Sequence, residues 1–505
     1  MKKQKPIKRA AGILMPISSL PSPYGIGNLG EAAYKFVDFL KKAGQGYWQV
    51  LPVGPTSYGD SPYQSFSAFA GNPYFIDPDI LITEGLISRE DADGFDWGDD
   101  EESVDYLKLY EFRTELLKLA YKNSRHKEDK SYILFCENNS YWLSDYAEYM
   151  AIKRHYGEQG FVHWPMDIRT RKIDALKKMR EELTDEIDFE KFCQFHFFTQ
   201  WQKLKNYANS RGVRIIGDIP IYVSLDSADV WAGSEEFLLN EELKPILVAG
   251  VPPDEFSDDG QLWGTPLYNW DEMEKNGYTW WKLRIRFAMQ MFDVVRIDHF
   301  IGIERYYAVN AENKTARHGT WHKGPGIKLL DSISEAMGEA KIIAEDLGAV
   351  TPSVTRLRFR AGYPGMKILE YAFTSDSKNI NLPHFYDENC VVYSGTHDNE
   401  TLAGYFKHAP KKEIAFAKKY LQVKSNKMLA KAVIRAAYAS VGSLCIIQMQ
   451  DFLGLDNRAR MNYPSTLGDN WKWRMKAEDM TDELAEEIYE LSLIYGRLEE
   501  ENAGV

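Results

Sequence analysis

Eight short apolar stretches alternate with helix-length segments, and this alternation predicts an α/β fold: a (β/α)8 TIM barrel with large helical insertions in its βα loops. Two further observations support it. No glycine-rich dinucleotide fingerprint follows the first stretch, which argues against an open doubly wound sheet. Acidic and histidine residues also recur just past the apolar stretches, at the face where barrels of this kind gather their βα loops.

The strands are read in order. The first is 12–18 (GILMPIS), with a helix expected over 30–40; the second is 47–53 (YWQVLPV). The third, 213–219 (VRIIGDI), follows a helical pattern over 189–209. The fourth is 294–300 (VVRIDHF), after a helix over 280–291, and the fifth is 341–346 (KIIAED) after a helix over 326–337. The last three are 365–371 (GMKILEY), 390–395 (CVVYSG) and 443–449 (SLCIIQM).

Spacing locates the insertions. The second and third strands are separated by far more than the roughly 2–6 residues of an ordinary βα loop. Helical patterns over 104–121 and 141–155 mark an inserted, mostly helical subdomain at about 78–187, and charge-rich 181–190 reads as a solvated connection. Residues 220–278 form an expected substrate-binding loop region after the third strand, and 481–498 an amphipathic closing helix. All of this belongs to one catalytic barrel spanning 1–505.

Composition bounds the partners. The 505 residues carry a formal charge of −13, with no dominant basic stripe, so a nucleic-acid partner is not expected. No apolar run reaches the ~18 residues of a spanning helix, and no membrane partner is expected. The four cysteines (Cys136, Cys193, Cys390, Cys445) form no Cys-x-x-Cys pair; with no apolar signal core after the basic start, they point to the cytoplasm. Aromatics are abundant, with 13 Trp, 30 Tyr and 25 Phe, and those clustered in Gly- and Pro-rich loops suit a ligand groove.

The fourth strand carries the chemistry. Side chains alternate along a strand, so Arg296 and Asp298 share one face while Val295 and Ile297 take the other. Strands three, four, five and seven end in Asp218, Asp298 then His299, Glu345-Asp346, and His397-Asp398. Carboxylates gathered at one rim suit glycosyl transfer, in which one attacks the anomeric carbon and a protonated acid serves the leaving oxygen. Asp298 and Glu345, on adjacent strands, fit the short separation of about 5–5.5 Å that retention requires. Arg296 is expected to hold Asp298 ionised, and apolar surroundings to keep Glu345 protonated. For Asp218 and Asp346 a structural ion pair or cap remains the competing reading. His299 beside Asp298, and His397 beside Asp398, could ligate a divalent ion, but no short metal motif is present and no metal is expected. Nor is there a Gly-x-Ser-x-Gly elbow for serine hydrolysis. Trp263, in the Gly-flanked loop 250–270, is read as a stacking platform for a sugar ring.

Together these stretches resemble the 4-α-glucanotransferases, the amylomaltase or disproportionating-enzyme family (glycoside hydrolase family 77) of the wider α-amylase clan. The resemblance covers nearly the whole chain: PSPYGIGNLG, SPYQSFSAFAGNPYFID, GDIPIYV, GVPPDEFSDDGQLWGTPLYNW, VVRIDHFIG, AEDLG, SGTHDNET and RARMNYPS, in that order. It implies Asp298 as nucleophile, Glu345 as acid/base and Asp398 as transition-state stabiliser. It places Arg296, His299 and His397 at the first subsite and matches Tyr63, Asp254 and Trp263 to groove residues. Ser61 and Asn462 match loops closing over the glucan. It implies no cofactor or metal, α-1,4-glucans and maltooligosaccharides as donor and acceptor, and a monomer or homodimer. Two rival readings are a retaining α-1,4-glucan hydrolase, which shares the first half-reaction, and a non-catalytic glucan-binding protein, which needs the aromatics but not the paired carboxylates.

Overall fold

The computed structural model describes residues 3–57, 59–253, 257–338 and 340–498, so Asp254 lies outside the described residues. Twelve strands occur among them: β1 Ala10–Leu14, β2 Tyr47–Gln49, β3 Arg214–Pro220, β4 Leu247–Val251, β5 Gln261–Pro266, β6 Val294–Asp298, β7 Arg305–Asn310, β8 Gly319–Lys323, β9 Ile342–Ala344, β10 Gly365–Ile368, β11 Cys390–Tyr393 and β12 Leu444–Gln448.

Eight of them form a parallel sheet in the order β10-β11-β12-β1-β2-β3-β6-β9. These are the eight strands expected from the sequence, in sequential order around a nearly closed barrel. Its two edges meet where Ala344 N–H donates to Pro364 O at 3.0 Å. Period-two alternation fills it. Leu14, Ile216, Val294, Ile343, Val391, Leu444 and Ile446 pack into one cluster inside, while Ile13, Ile215, Val295, Ile297 and Ile342 pack outward against the helices. Polar residues at inward positions near the strand ends therefore have one place to go, the carboxyl-end mouth.

Two expectations are corrected. Residues 181–190 are not a loop connection but parts of the helices Ile173–Glu182 and Thr184–Ser210, exposed at Glu181, Glu182, Thr184 and Asp185 as expected. Phe189 and Glu190 are buried there, and Glu190 pairs with Arg154, whose guanidinium also lies 5.3 Å from the Phe189 ring centroid. The charges look solvated in sequence because their partners lie on another helix, Ser140–His155.

The second correction concerns the loops after the third and fourth barrel strands. Part of 250–270 and of the segment after β6 forms a separate antiparallel sheet, β5-β4-β7-β8. β4 pairs with β5 through an irregular register between Val248 and Gly250, and with β7 far along the chain. Short, irregular and non-local pairing leaves no periodic signature in sequence. This sheet matters for the site because β5 carries Trp263.

Candidate active site

The strand register brings the charged residues together. Asp218 and Arg296 face each other across β3 and β6, as do Pro220 and Asp298. Ile297 pairs with Ala344 across β6 and β9, so Asp298 and Glu345 each follow the last paired residue of adjacent strands. At the centre stands Arg296, which is buried and bridges two carboxylates: Nη1 lies 2.6 Å from Asp218 Oδ2 and Nη2 lies 3.0 Å from Asp298 Oδ1.

Glu345 is only 7% exposed. Its Oε2 accepts from His299 N–H at 2.7 Å and its Oε1 from Leu347 N–H at 2.7 Å. Burial, and then the neighbouring Asp298, push its carboxyl up to about 8 against the opposing pull of Arg296 and the two amides. His299 reaches it from a left-handed backbone, φ 52°. A non-glycine residue held there costs of order 1–3 kcal/mol, which the surrounding contacts must offset. Burial brings the His299 imidazole down to about 4 despite Asp298, so the ring is neutral near pH 7.

Asp398 comes after β11, two strands from β9 around the mouth, with 45% of its side chain exposed. Its Oδ1 accepts from Asn462 Nδ2 at 2.6 Å and its Oδ2 lies 3.4 Å from His397 Nε2. Partial burial alone would raise its pKa; His397 and the Asn462 amide outweigh that and bring it down to about 2. The same contact raises His397 above an ordinary histidine, against the effect of burial.

Tyr63 ties the two sides together. Its hydroxyl donates to Asp218 Oδ2 at 2.8 Å and lies 3.1 Å from His397 Nδ1, while its ring stacks on the imidazole at 4.7 Å. Trp263 stands edge-on to His299, with ring centroids 4.8 Å apart. Ser61 and Asn462 line a cleft of ≈1580 Å³ bounded also by Tyr110, Lys153 and Trp471.

The structure thus gathers Arg296, Asp298, His299, Glu345, His397, Asp398, Tyr63, Asp218, Trp263 and Asn462 through a chain of contacts. Asp346 does not join them. It accepts from Met366 N–H at 2.8 Å and pairs with Arg358 at 2.9 Å, the structural alternative weighed for it. Asp218 is also half of an ion pair, but one that opens onto the site through Arg296. Sequence reasoning passed over Arg460, whose Nη2 donates to the Asp398 carbonyl at 2.7 Å. It also passed over Glu370, two residues past β10, and Asn399 beside Asp398. Scanning the end of the sixth strand for carboxylates, as was done for four others, would have found Glu370; Arg460 gives no such signal.

A parallel eight-stranded barrel with this charged carboxyl-end mouth defines a (β/α)8-barrel enzyme. The family model described as 4-alpha-glucanotransferase matches residues 15–481, and the chain belongs to that family. The 4-alpha-glucanotransferase of Clostridium butyricum is 48% identical over 487 residues, covering 96% of this chain and 100% of that protein. That of Thermus thermophilus is 45% identical over 488 residues, covering 94% and 97%. Among solved structures, amylomaltase from Streptococcus agalactiae in complex with acarbose matches with a TM-score of 0.94 at 44% identity, covering 97% of this chain and 100% of that one.

Proposed function

We propose that the chain disproportionates α-1,4-glucans by a retaining double displacement, with maltooligosaccharides as donor and acceptor. Asp298 attacks the anomeric carbon while Glu345 gives its proton to the departing 4-oxygen, leaving a glycosyl ester on Asp298. An acceptor 4-hydroxyl then loses its proton to Glu345 and attacks the anomeric carbon, releasing Asp298 with net retention. Asp398, kept ionised, binds ring hydroxyls and favours the cationic character of the transition state. Arg296, His299 and His397 shape the first subsite, with Tyr63, Ser61, Trp263 and Asn462 along the groove.

The observation that carries this reading is the environment of Glu345. It is raised to about 8 beside a second carboxylate, so it can donate at neutral pH. It also keeps two N–H donors that favour its anionic form when it must accept a proton.

Transfer over hydrolysis is supported by the family and by closely approaching loops: a Cβ added at Gly59 would lie 3.3 Å from Leu467. The helical insertion at about 78–187 and the 220–278 region act in this proposal as the groove's outer walls. Cytoplasmic location is part of the proposal, supported by the free thiols of Cys136, Cys193, Cys390 and Cys445. Among the described residues no helix is long and apolar enough to cross a membrane.

Incubation with maltotriose tests the reading. A ladder of shorter and longer maltooligosaccharides at constant reducing-end concentration is expected. Reducing ends rising with consumption would make the chain a hydrolase, and absence of turnover a binding protein.

A further inference from the structure

The loop that carries Asp398 rests on a buried polar bridge that the chemistry above does not use. Glu370 follows β10, and its backbone N–H donates to Ser394 O at 3.1 Å, fixing it beneath the end of β11. The side chain is 7% exposed. Its Oε1 accepts from Asn399 Nδ2 at 2.9 Å, while Oε2 is buried without a hydrogen-bond partner. Asn399, itself 3% exposed, passes the contact on. Its Oδ1 accepts from Thr396 N–H at 2.9 Å and from Thr396 Oγ1 at 3.0 Å. Thr396 Oγ1 in turn accepts from Asp398 N–H at 3.3 Å. Four groups thus run in series from the floor of the mouth to the Asp398 backbone, and Arg460 holds the Asp398 carbonyl from the other side.

We propose that Glu370 is a positioning residue, which through Asn399 and Thr396 sets where the Asp398 carboxylate stands over the site. A buried acid whose second oxygen meets no donor suits the uncharged form. Burial pushes Glu370 up to about 8, reinforced by Glu400 and Asp451 and opposed by the Asn399 amide and Arg460. What the bridge needs from this side chain is therefore an acceptor oxygen of the right length. Glutamine supplies that and alanine does not. A displaced Asp398 would weaken its hold on the transition state more than on the bound sugar, so the effect belongs in kcat rather than KM.

This inference rests on the role proposed for Asp398, and the test separates the two. Rates are measured with α-glucosyl fluoride as donor and maltose as acceptor, because fluoride leaves without help from Glu345. The enzymes are the wild type, Glu370→Ala, Glu370→Gln, Asp398→Asn and the Asp398→Asn/Glu370→Ala double variant. Glu370→Ala is expected to lower kcat about ten- to hundredfold with KM within about twofold, and Glu370→Gln to stay within about twofold of wild type. In the Asp398→Asn background, Glu370→Ala should cost at most a further twofold or so, because the group it positions has lost its charge. Two results would overturn the inference: kcat within about twofold in Glu370→Ala, or effects of Glu370→Ala and Asp398→Asn that multiply. Full activity in Asp398→Asn would instead sink the reading of Asp398. If Glu370→Ala does not fold, Asn399→Ala severs the same bridge from its other end, and its non-additivity with Asp398→Asn decides.

Discussion

Two sides of the barrel mouth hold a carboxyl group in opposite states. At β6 and β9, Glu345 accepts two backbone N–H bonds, an arrangement that by itself favours the anion, yet it comes up to about 8. At β11, Asp398 has one amide and a histidine and comes down to about 2. Donor count does not explain the difference. Neighbours do: burial pushes both carboxyls up, but Glu345 stands beside another carboxylate, whereas Asp398 stands by a histidine raised toward its charged form. One mouth thereby offers a proton donor and a permanent anion within the same neutral pH range.

The contrast can be broken most severely from its centre. Asp298→Asn leaves Glu345 without its neighbouring carboxylate and, in the proposed mechanism, removes the nucleophile. Disproportionation of maltotriose should fall by on the order of a thousandfold or more while sugar affinity persists. Substantial residual turnover would remove Asp298 from the role.

Glu345→Gln comes next. Transfer from maltotriose should fall about a hundredfold or more, with much smaller loss for an activated fluoride donor. In the wild type, kcat/KM for maltotriose should decline as pH rises through about 8, where Glu345 loses the proton it must donate. Stability follows the same group. An unfolded glutamate titrates near 4.5 and folded Glu345 at about 8. Between these the folded state binds the extra proton, so this contribution is fully present below 4.5 and is lost as pH rises through about 8. Melting temperatures of Glu345→Gln and wild type, compared across that window, should diverge in favour of the variant as pH rises.

The smallest catalytic effect is expected at Asp346, the neighbour of Glu345 that faces the other way. Asp346→Asn breaks its pair with Arg358 and should cost about 3 kcal/mol of stability by denaturant titration, leaving kcat per folded enzyme near wild type. A large kcat loss would bring Asp346 into the site.

The difference between Glu345 and Asp346 also shows what was legible beforehand. Strand order, the alternation that turns Arg296 and Asp298 inward, and the set of rim carboxylates follow from a period of two and from chain order, both local properties of the sequence. The assignment of adjacent Glu345 and Asp346 to opposite sides follows the same period, but which becomes acid and which becomes ion pair depends on Arg358 and Asp298, distant in the chain. Glu190 gives the same lesson: its charge reads as solvated until Arg154 arrives from another helix.

The barrel, its eight strands and the acidic residues that follow them are legible along the chain, because hydrophobic periodicity and connection length are local properties. The opposite shifts of Glu345 and Asp398, the antiparallel sheet that sets Trp263 against His299, and the bridge from Glu370 to Asp398 arise on folding. Each of these depends on burial and on partners far apart in sequence, and a group's charge state is settled by what surrounds it after folding.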